Sequence, residues 1–264
     1  MSEASFDIVE DRLFGDRLRL LQPRRGHRAG TDAVLLAAAV AADFDGHVAD
    51  LGAGVGTVGL AAAALNPRAT ATLVERDPDA AGLAARNIAL NHLESRVRLA
   101  TVDLFSAAER RAAGLRDAAD LVLTNPPFHE EGAVRRSPDA ARRSAHILEG
   151  GTLDDWMRAC ADVARAGGRI VVIHRADALH GLLTACEGRF GGVTLRTVHP
   201  HAEAPATRLL IAGVKGSRAP LRILPPLVLH APSTGGGLPA FTPEMRAINR
   251  GEARIAMDLR PAAS

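Results

Sequence analysis

From Val48 onward, short apolar runs alternate with longer stretches whose apolar residues recur at helical spacing. The runs are VADLGAG, ATLVERDP, VRLATVDLF, ADLVLTNPPF and GRIVVIHRAD, and each ends in polar or acidic residues. Strands alternating with helices predict a parallel sheet with helices on both faces. Two further runs, GGVTLRTVHP and ATRLLIAGVKG, are joined by a Pro-containing connection and predict a closing pair with an antiparallel edge strand. Upstream, IVEDRLFGDRLRLLQP predicts a β-hairpin turning at Phe14-Gly15-Asp16. Gly30-Thr31-Asp32 opens an Ala/Leu helix, with Thr31 as the expected N-cap. A helix is predicted over 153–164. After Lys215 the chain turns Pro- and Gly-rich, which predicts an irregular tail with a short helix over 243–248. The expected organisation is an entry segment with its hairpin (1–30), one α/β domain (31–216) and the tail (217–264).

Composition narrows the picture slightly. The 264 residues suffice for one large domain, with 47% hydrophobic and 23% charged residues, as in soluble globular proteins. Net charge is +2, which permits a nucleic-acid partner without demanding one. Lys215 is the single lysine, so the other basic side chains are arginines, whose planar fork suits phosphate. Cys160 and Cys186 lack metal-ligand spacing. No metal site, signal core or membrane span is expected, and the reading is a cytoplasmic protein.

VADLGAGVGTVGLA holds a literal G-x-G-x-x-G at Gly54, Gly56 and Gly59. Alone it suits either a dinucleotide or S-adenosylmethionine (SAM), since both use a tight turn and the free N–H groups of a helix N-terminus. Three acids follow at strand ends, and two of them, Asp50 and Asp103, discriminate by position, since a dinucleotide fold also places an acid where Glu75 stands. Asp50 precedes the glycines, where a dinucleotide fold is normally apolar; the order Asp50-Leu51-Gly52-Ala53-Gly54 resembles the class I methyltransferases, where the acid lies near the methionine amino group. Glu75, followed by Arg76, ends the second strand and offers a carboxylate to both ribose hydroxyls. Asp103, followed by Leu104, ends the third strand, the usual place of the acid that meets the adenine amino group. Ligands of open α/β sheets bind at such strand ends. The expected SAM contacts are Gly30, Thr31, Asp50, Gly52, Gly54, Glu75, Arg76, Asp103, Leu104 and Asn125.

The sharpest signal is Thr124-Asn125-Pro126-Pro127-Phe128 after the fourth apolar run. An exocyclic or amide nitrogen has its lone pair delocalised into a π-system. Accepting hydrogen bonds from its two N–H groups shifts it towards tetrahedral geometry and aims the lone pair. The Asn125 side-chain oxygen can accept one and the Pro126 carbonyl the other. Pro126 and Pro127 stiffen the backbone, and Phe128 can stack on a planar substrate. Such catalysis is positioning and electrostatics. The motif fits N6 of adenine, N4 of cytosine, N2 of guanine or a glutamine amide, and argues against O-methylation of a small molecule.

With these motifs placed, the chain resembles the bacterial tRNA(Val) adenine N6-methyltransferase family. R-R-G-H-R-A-G-T-D-A-V-L-L upstream, R-R-S-P-D-A-A-R-R-S-A-H-I and L-D-D-W downstream, and the late P-P-L-V-L-H carry the similarity beyond the two motifs. The chain departs with Phe128 where Tyr is commoner, and with Ala-His146-Ile in place of Ala-His-Glu. The resemblance implies a class I Rossmann-like fold with a seven-stranded, mostly parallel sheet. It also implies SAM as cofactor and RNA, a tRNA first, as partner.

Arg24, Arg25 and Arg28 before the α/β domain, and Arg135, Arg136, Arg142 and Arg143 after the motif, would form a phosphate-binding ring if both segments line one rim. The competing reading pairs the later arginines with Glu130, Glu131 and Asp139. His199-Pro200-His201 has no third ligand nearby in sequence and reads as structural or surface histidine. With 3% aromatic residues and no tyrosine, an extended stacking platform is not expected. The alternatives to an RNA adenine enzyme are a glutamine N5-methyltransferase, an rRNA base methyltransferase and a non-catalytic binding module. The oligomeric state is left open.

Overall fold

The computed structural model describes residues 7–25, 28–127, 151–232 and 239–257. The N-terminal hairpin pairs β1 (Ile8–Leu13) with β2 (Leu18–Pro23). Its turn takes positive φ at Phe14, Gly15 and Asp16. Seven strands then form the central sheet: β3 (His47–Leu51), β4 (Thr70–Glu75), β5 (Val97–Thr101), β6 (Ala119–Thr124), β7 (Ala164–Arg175), β8 (Phe190–His199) and β9 (Arg208–Lys215). β10 (Arg222–Ile223) and β11 (Leu227–Val228) join it from the tail, and the order is β10-β8-β9-β7-β6-β3-β4-β5 with β11 also on β8.

Two details differ from the sequence expectation. The antiparallel strand is β9, and it lies between β7 and β8 rather than at the edge. The short 200–207 connection forces β9 to return beside β8, so β9 fills the slot next to β7. The tail also adds strands, making nine in all, because β10 and β11 run parallel to the otherwise open edge of β8. Covering that edge removes a row of unpaired backbone groups.

Helices pack on both faces. They are α1 (Thr31–Ala38), α2 (Thr57–Leu65), α3 (Pro78–Leu90), α4 (Ala107–Ala112), α5 (Leu153–Val163), α6 (Leu179–Cys186) and α7 (Pro243–Asn249). Gly30, not Thr31, is the N-cap of α1, and Thr31 is its first helical residue. α3 begins at Pro78 behind the Asp77 cap, whose carboxylate accepts from the Asp79 and Ala80 N–H groups. Thr152 and Asp155 form a reciprocal capping box at the start of α5. One core cluster joins the hairpin (Phe14, Leu18, Leu20) to tail residues Met245, Ile248, Ile255 and Met257.

The free edge of β2 is closed by side chains. The Asn91 amide accepts from Arg19 N–H (2.9 Å) and donates to Arg19 O (2.7 Å). One turn earlier, the Asn87 amide accepts from Leu21 N–H (2.7 Å) and donates to Leu21 O and Val55 O (both 2.9 Å). Asn87 and Asn91 are four apart on α3 and share one face, matching alternate residues of the strand. Among the described residues, no helix is long and apolar enough to cross a membrane.

Candidate functional site

The strand order reverses at β3, which lies between β4 and β6. Ligands of open α/β sheets bind outside the carboxyl ends of the strands at such a point. A cleft of about 280 Å³ opens there. Its lining comes from the glycine loop (Gly52, Gly54), the end of β4 (Val74, Glu75, Arg76), the segment after β5 (Val102, Asp103, Leu104, Phe105), the end of β6 (Asn125, Pro127) and Trp156 of α5. A larger hollow of about 790 Å³, lined by Asp120, Arg165 and Arg169 among others, lies at the opposite, amino end of the strands. The smaller cleft is therefore the candidate site.

The glycines do different jobs. Gly52, Gly54 and Gly56 all hold positive φ, which favours glycine. A Cβ on Gly52 would meet Trp156 Cη2 at 2.7 Å, whereas one on Gly54 would meet nothing within 4 Å. Gly54 therefore faces open space beside the cleft, and Gly52 lets the indole pack on the loop. Gly59 admits Leu73, whose Cδ2 would lie 2.3 Å from an added Cβ.

Asp50 sits beneath the loop and does not line the cleft. It is 2% exposed, and its Oδ2 accepts from Gly59 N–H (2.8 Å) in the first turn of α2. An anion is favourable at a helix N-terminus. Burial, reinforced by the nearby Glu75 charge and opposed by the Gly59 bond, pushes its carboxyl up to about 7. Glu75 is held from both sides. Its Oε2 accepts from Gly54 N–H (2.8 Å), and its Oε1 accepts from the N–H groups of Arg76 (2.8 Å) and Asp77 (2.9 Å).

Asp103 lies two residues beyond the end of β5 rather than on it. Its N–H donates to Glu109 (2.7 Å) and its Oδ1 accepts from Phe105 N–H (2.9 Å), so it closes a tight turn. Below it, the buried Arg110 donates to Leu104 O and pairs with Asp162 at 2.7 Å. Phe105 meets Trp156 edge to face, with centroids 5.6 Å apart. Sequence reasoning assigned no role to Phe105, Arg110 or Trp156. A single tryptophan next to a motif-like L-D-D-W was the only signal for any of them.

At the end of β6 the buried Thr124 hydroxyl donates to Leu51 O (2.8 Å), fixing this strand end against the glycine loop. Asn125 follows, and its Oδ1 is buried without a hydrogen-bond partner among the described residues. Pro126 is buried and Pro127 exposed. Gly30 and Thr31 do not line the cleft. Arg24, Arg25 and Arg28 are exposed; Arg24 pairs with Asp7 (2.6 Å) and Arg28 with Asp11 (2.5 Å). Asp32, at the start of α1, binds Arg208 at the start of β9, so the Arg24–Arg28 segment enters α1 at the carboxyl end of the sheet. Phe128, Arg135, Arg136, Arg142, Arg143 and His146 lie outside the described residues. Among the described residues, no group of His, Cys, Asp and Glu side chains could hold a metal ion.

A glycine with open space at the cleft, fixed carboxylates at successive strand ends and an unpaired amide oxygen at the next one fit a nucleoside-bearing amino acid. A model of the methyltransferase small domain matches residues 28–151. A tRNA1(Val) (adenine(37)-N6)-methyltransferase of Porphyromonas gingivalis is 31% identical over 183 residues, spanning 67% of this chain and 71% of that protein. A release factor glutamine methyltransferase of Cereibacter sphaeroides is 32% identical over 62% of this chain and 59% of its own length. The crystal structure of a protein described as a predicted O-methyltransferase from Agrobacterium tumefaciens superposes with a TM-score of 0.71 and 32% identity, covering 87% of this chain and 100% of that one. Fold and site thus define a class I SAM-dependent methyltransferase, acting on nitrogen. Within that class, the chain belongs to the bacterial tRNA(Val) adenine N6-methyltransferase family.

Proposed function

We propose that this enzyme methylates the exocyclic amine of a nucleobase in RNA, adenine N6 of a tRNA being the first candidate. One observation carries the reading: Asn125 Oδ1 is a buried acceptor with no donor among the described residues, at the strand end beside the cleft. Leaving such a group unpaired costs about 1–3 kcal/mol, and an N–H of the acceptor substrate relieves it. Bound SAM supplies an electrophilic methyl group on its sulfonium. The chain's own part is to hold and aim.

Gly52 and Gly54 give SAM's methionine end close backbone approach, with Asp50 supporting their loop and supplying negative charge beneath it. Glu75 faces the ribose, and Asp103 and Leu104 the adenine, with Arg76 beside them. Phe105 and Trp156 wall off water. Asn125 accepts one N–H of the target amine and the Pro126 carbonyl the other, while Phe128 stacks on the base. Arg24, Arg25 and Arg28, with Arg135, Arg136, Arg142 and Arg143, meet the phosphates. The amine needs no strong base, because its proton becomes acidic once nitrogen carries the fourth bond.

Nucleoside mass spectrometry of total tRNA and rRNA, from a strain lacking the protein and from its parent, tests the reading. N6-methyladenosine missing from one tRNA supports it, and unchanged nucleosides contradict it. A second reading, methylation of a protein glutamine, draws on the Cereibacter sphaeroides relative, and its amide would meet Asn125 in the same way. That reading predicts unchanged nucleosides and N5-methylglutamine lost from a protein.

A further inference from the structure

We propose that His201, His230 and Phe241 form a second base-binding site, a stacking platform for an unpaired RNA base several nucleotides from the target; this rests on the RNA reading above. The three rings form one row. His201 and His230 have centroids 5.5 Å apart at 40°, and His230 and Phe241 lie 4.8 Å apart at 17°. Phe241, 36% exposed, is the one exposed Phe or Trp among the described residues. The chain has few aromatic rings, yet three lie together, with Phe241 exposed and His201 and His230 half-buried. Base–aromatic stacking needs only a π-face and tolerates any base.

The backbone holds the row in advance. Leu229 N–H donates to His199 O (2.9 Å), His230 N–H to Pro200 O (3.0 Å) and Thr242 N–H to Leu229 O (2.9 Å), while His230 and Phe241 face each other across an antiparallel bridge. The His230 Nδ1–H donates to Pro239 O (3.2 Å), which fixes that ring. Arg246 donates to Phe241 O, setting a cation beside the platform.

The location favours RNA over mere packing. Pairing through β7 and β9 sets Thr124 level with Leu195 of β8, so His199 stands four residues higher. β7, β9 and β8 therefore rise as a wall on the carboxyl side of the sheet, and the rings crown it. Strand spacing and rise put them on the order of 20 Å from Asn125. That is too far to hold the target base and suits a neighbour along the same strand. The Arg24–Arg28 segment meets this same end of the sheet through the Asp32–Arg208 pair.

The test is steady-state methylation of total tRNA from a strain lacking the protein. Phe241→Leu keeps apolar volume and loses the π-face. We expect its KM for tRNA to rise about tenfold, with kcat and the KM for SAM unchanged, and Phe241→Trp to restore the parent value. His201→Ala, at the other end of the row, should raise the same KM and serves if Phe241→Leu does not fold. A folded variant with an unchanged KM for tRNA overturns the platform and leaves the RNA reading intact. An effect confined to kcat or SAM also overturns it. If the unaltered protein methylates no RNA, the RNA reading fails and the platform with it.

Discussion

On the β4 and β5 side of the cleft, the carboxylates are already engaged: Glu75 takes three backbone N–H groups and Asp103 closes its own turn. On the β6 side, Asn125 Oδ1 is buried and has no donor among the described residues. The first side can hold its shape with no ligand present, so little ordering has to be done when SAM arrives. The second is unsatisfied until an N–H group enters. The two sides meet where β6 pairs with β3, and the Thr124 hydroxyl adds a side-chain bond to Leu51 O at that point.

Four substitutions on the first side sharpen the contrast. Gly52→Ala puts a Cβ 2.7 Å from Trp156 at φ +73°. Left-handed strain and overpacking should together lower stability by about 2–4 kcal/mol. Gly54→Ala meets open space, so it should cost only about 1 kcal/mol yet weaken SAM binding. Urea denaturation beside calorimetric titration of SAM separates the two, and equal stability losses would contradict the division of roles.

Asp50→Asn comes next. The native carboxyl is raised to about 7, while the unfolded one titrates near 4. Between those values the native chain holds the extra proton, so stability falls as pH rises through the window and levels off above it. Without SAM, the Asn variant should match the parent near pH 4 and exceed it by up to about 4 kcal/mol above pH 7. A difference that does not vary with pH would remove Asp50 as the cause. Because cationic SAM prefers the ionised carboxylate, the parent's SAM affinity should also rise with pH up to about 7.

Glu75→Gln comes last. Its amide turns an NH2 group towards one of two sets of backbone N–H donors, which should cost about 1–3 kcal/mol. Thermal melting should record the loss, and SAM affinity should fall with it. Unchanged melting would mean that the loop does not depend on that carboxylate.

Much of the cleft's glycine-loop side was legible in the sequence because its signals are local. Asp50, Glu75 and the glycines fall at strand ends and Asp103 two residues past one, and the alternation of apolar runs locates those ends. What the residue order could not convey was direction. Asp50 turns under the loop towards Gly59 rather than into the cleft, which only the packing of α2 decides. Trp156 and Phe105 are far apart in sequence, and their contact arises where α5 crosses the turn after β5. Asn87 and Asn91 read as a solvated helix face until β2 lies against them. β10 and β11 are two residues each, too short for any periodicity, and exist through long-range pairing with β8. Phe128 and the later arginines lie outside the described residues, so their places in the site rest on sequence alone.

The claim that the β6 side is built to receive an N–H group is tested most directly by Asn125→Ala, with SAM affinity and single-turnover methyl transfer to tRNA measured on the same preparation. The account predicts SAM affinity within about twofold of the parent and transfer slowed by about 10²–10³, the usual loss when one positioned hydrogen-bonding group is removed. Transfer at the parent rate, or loss of SAM binding in proportion to loss of transfer, would contradict it.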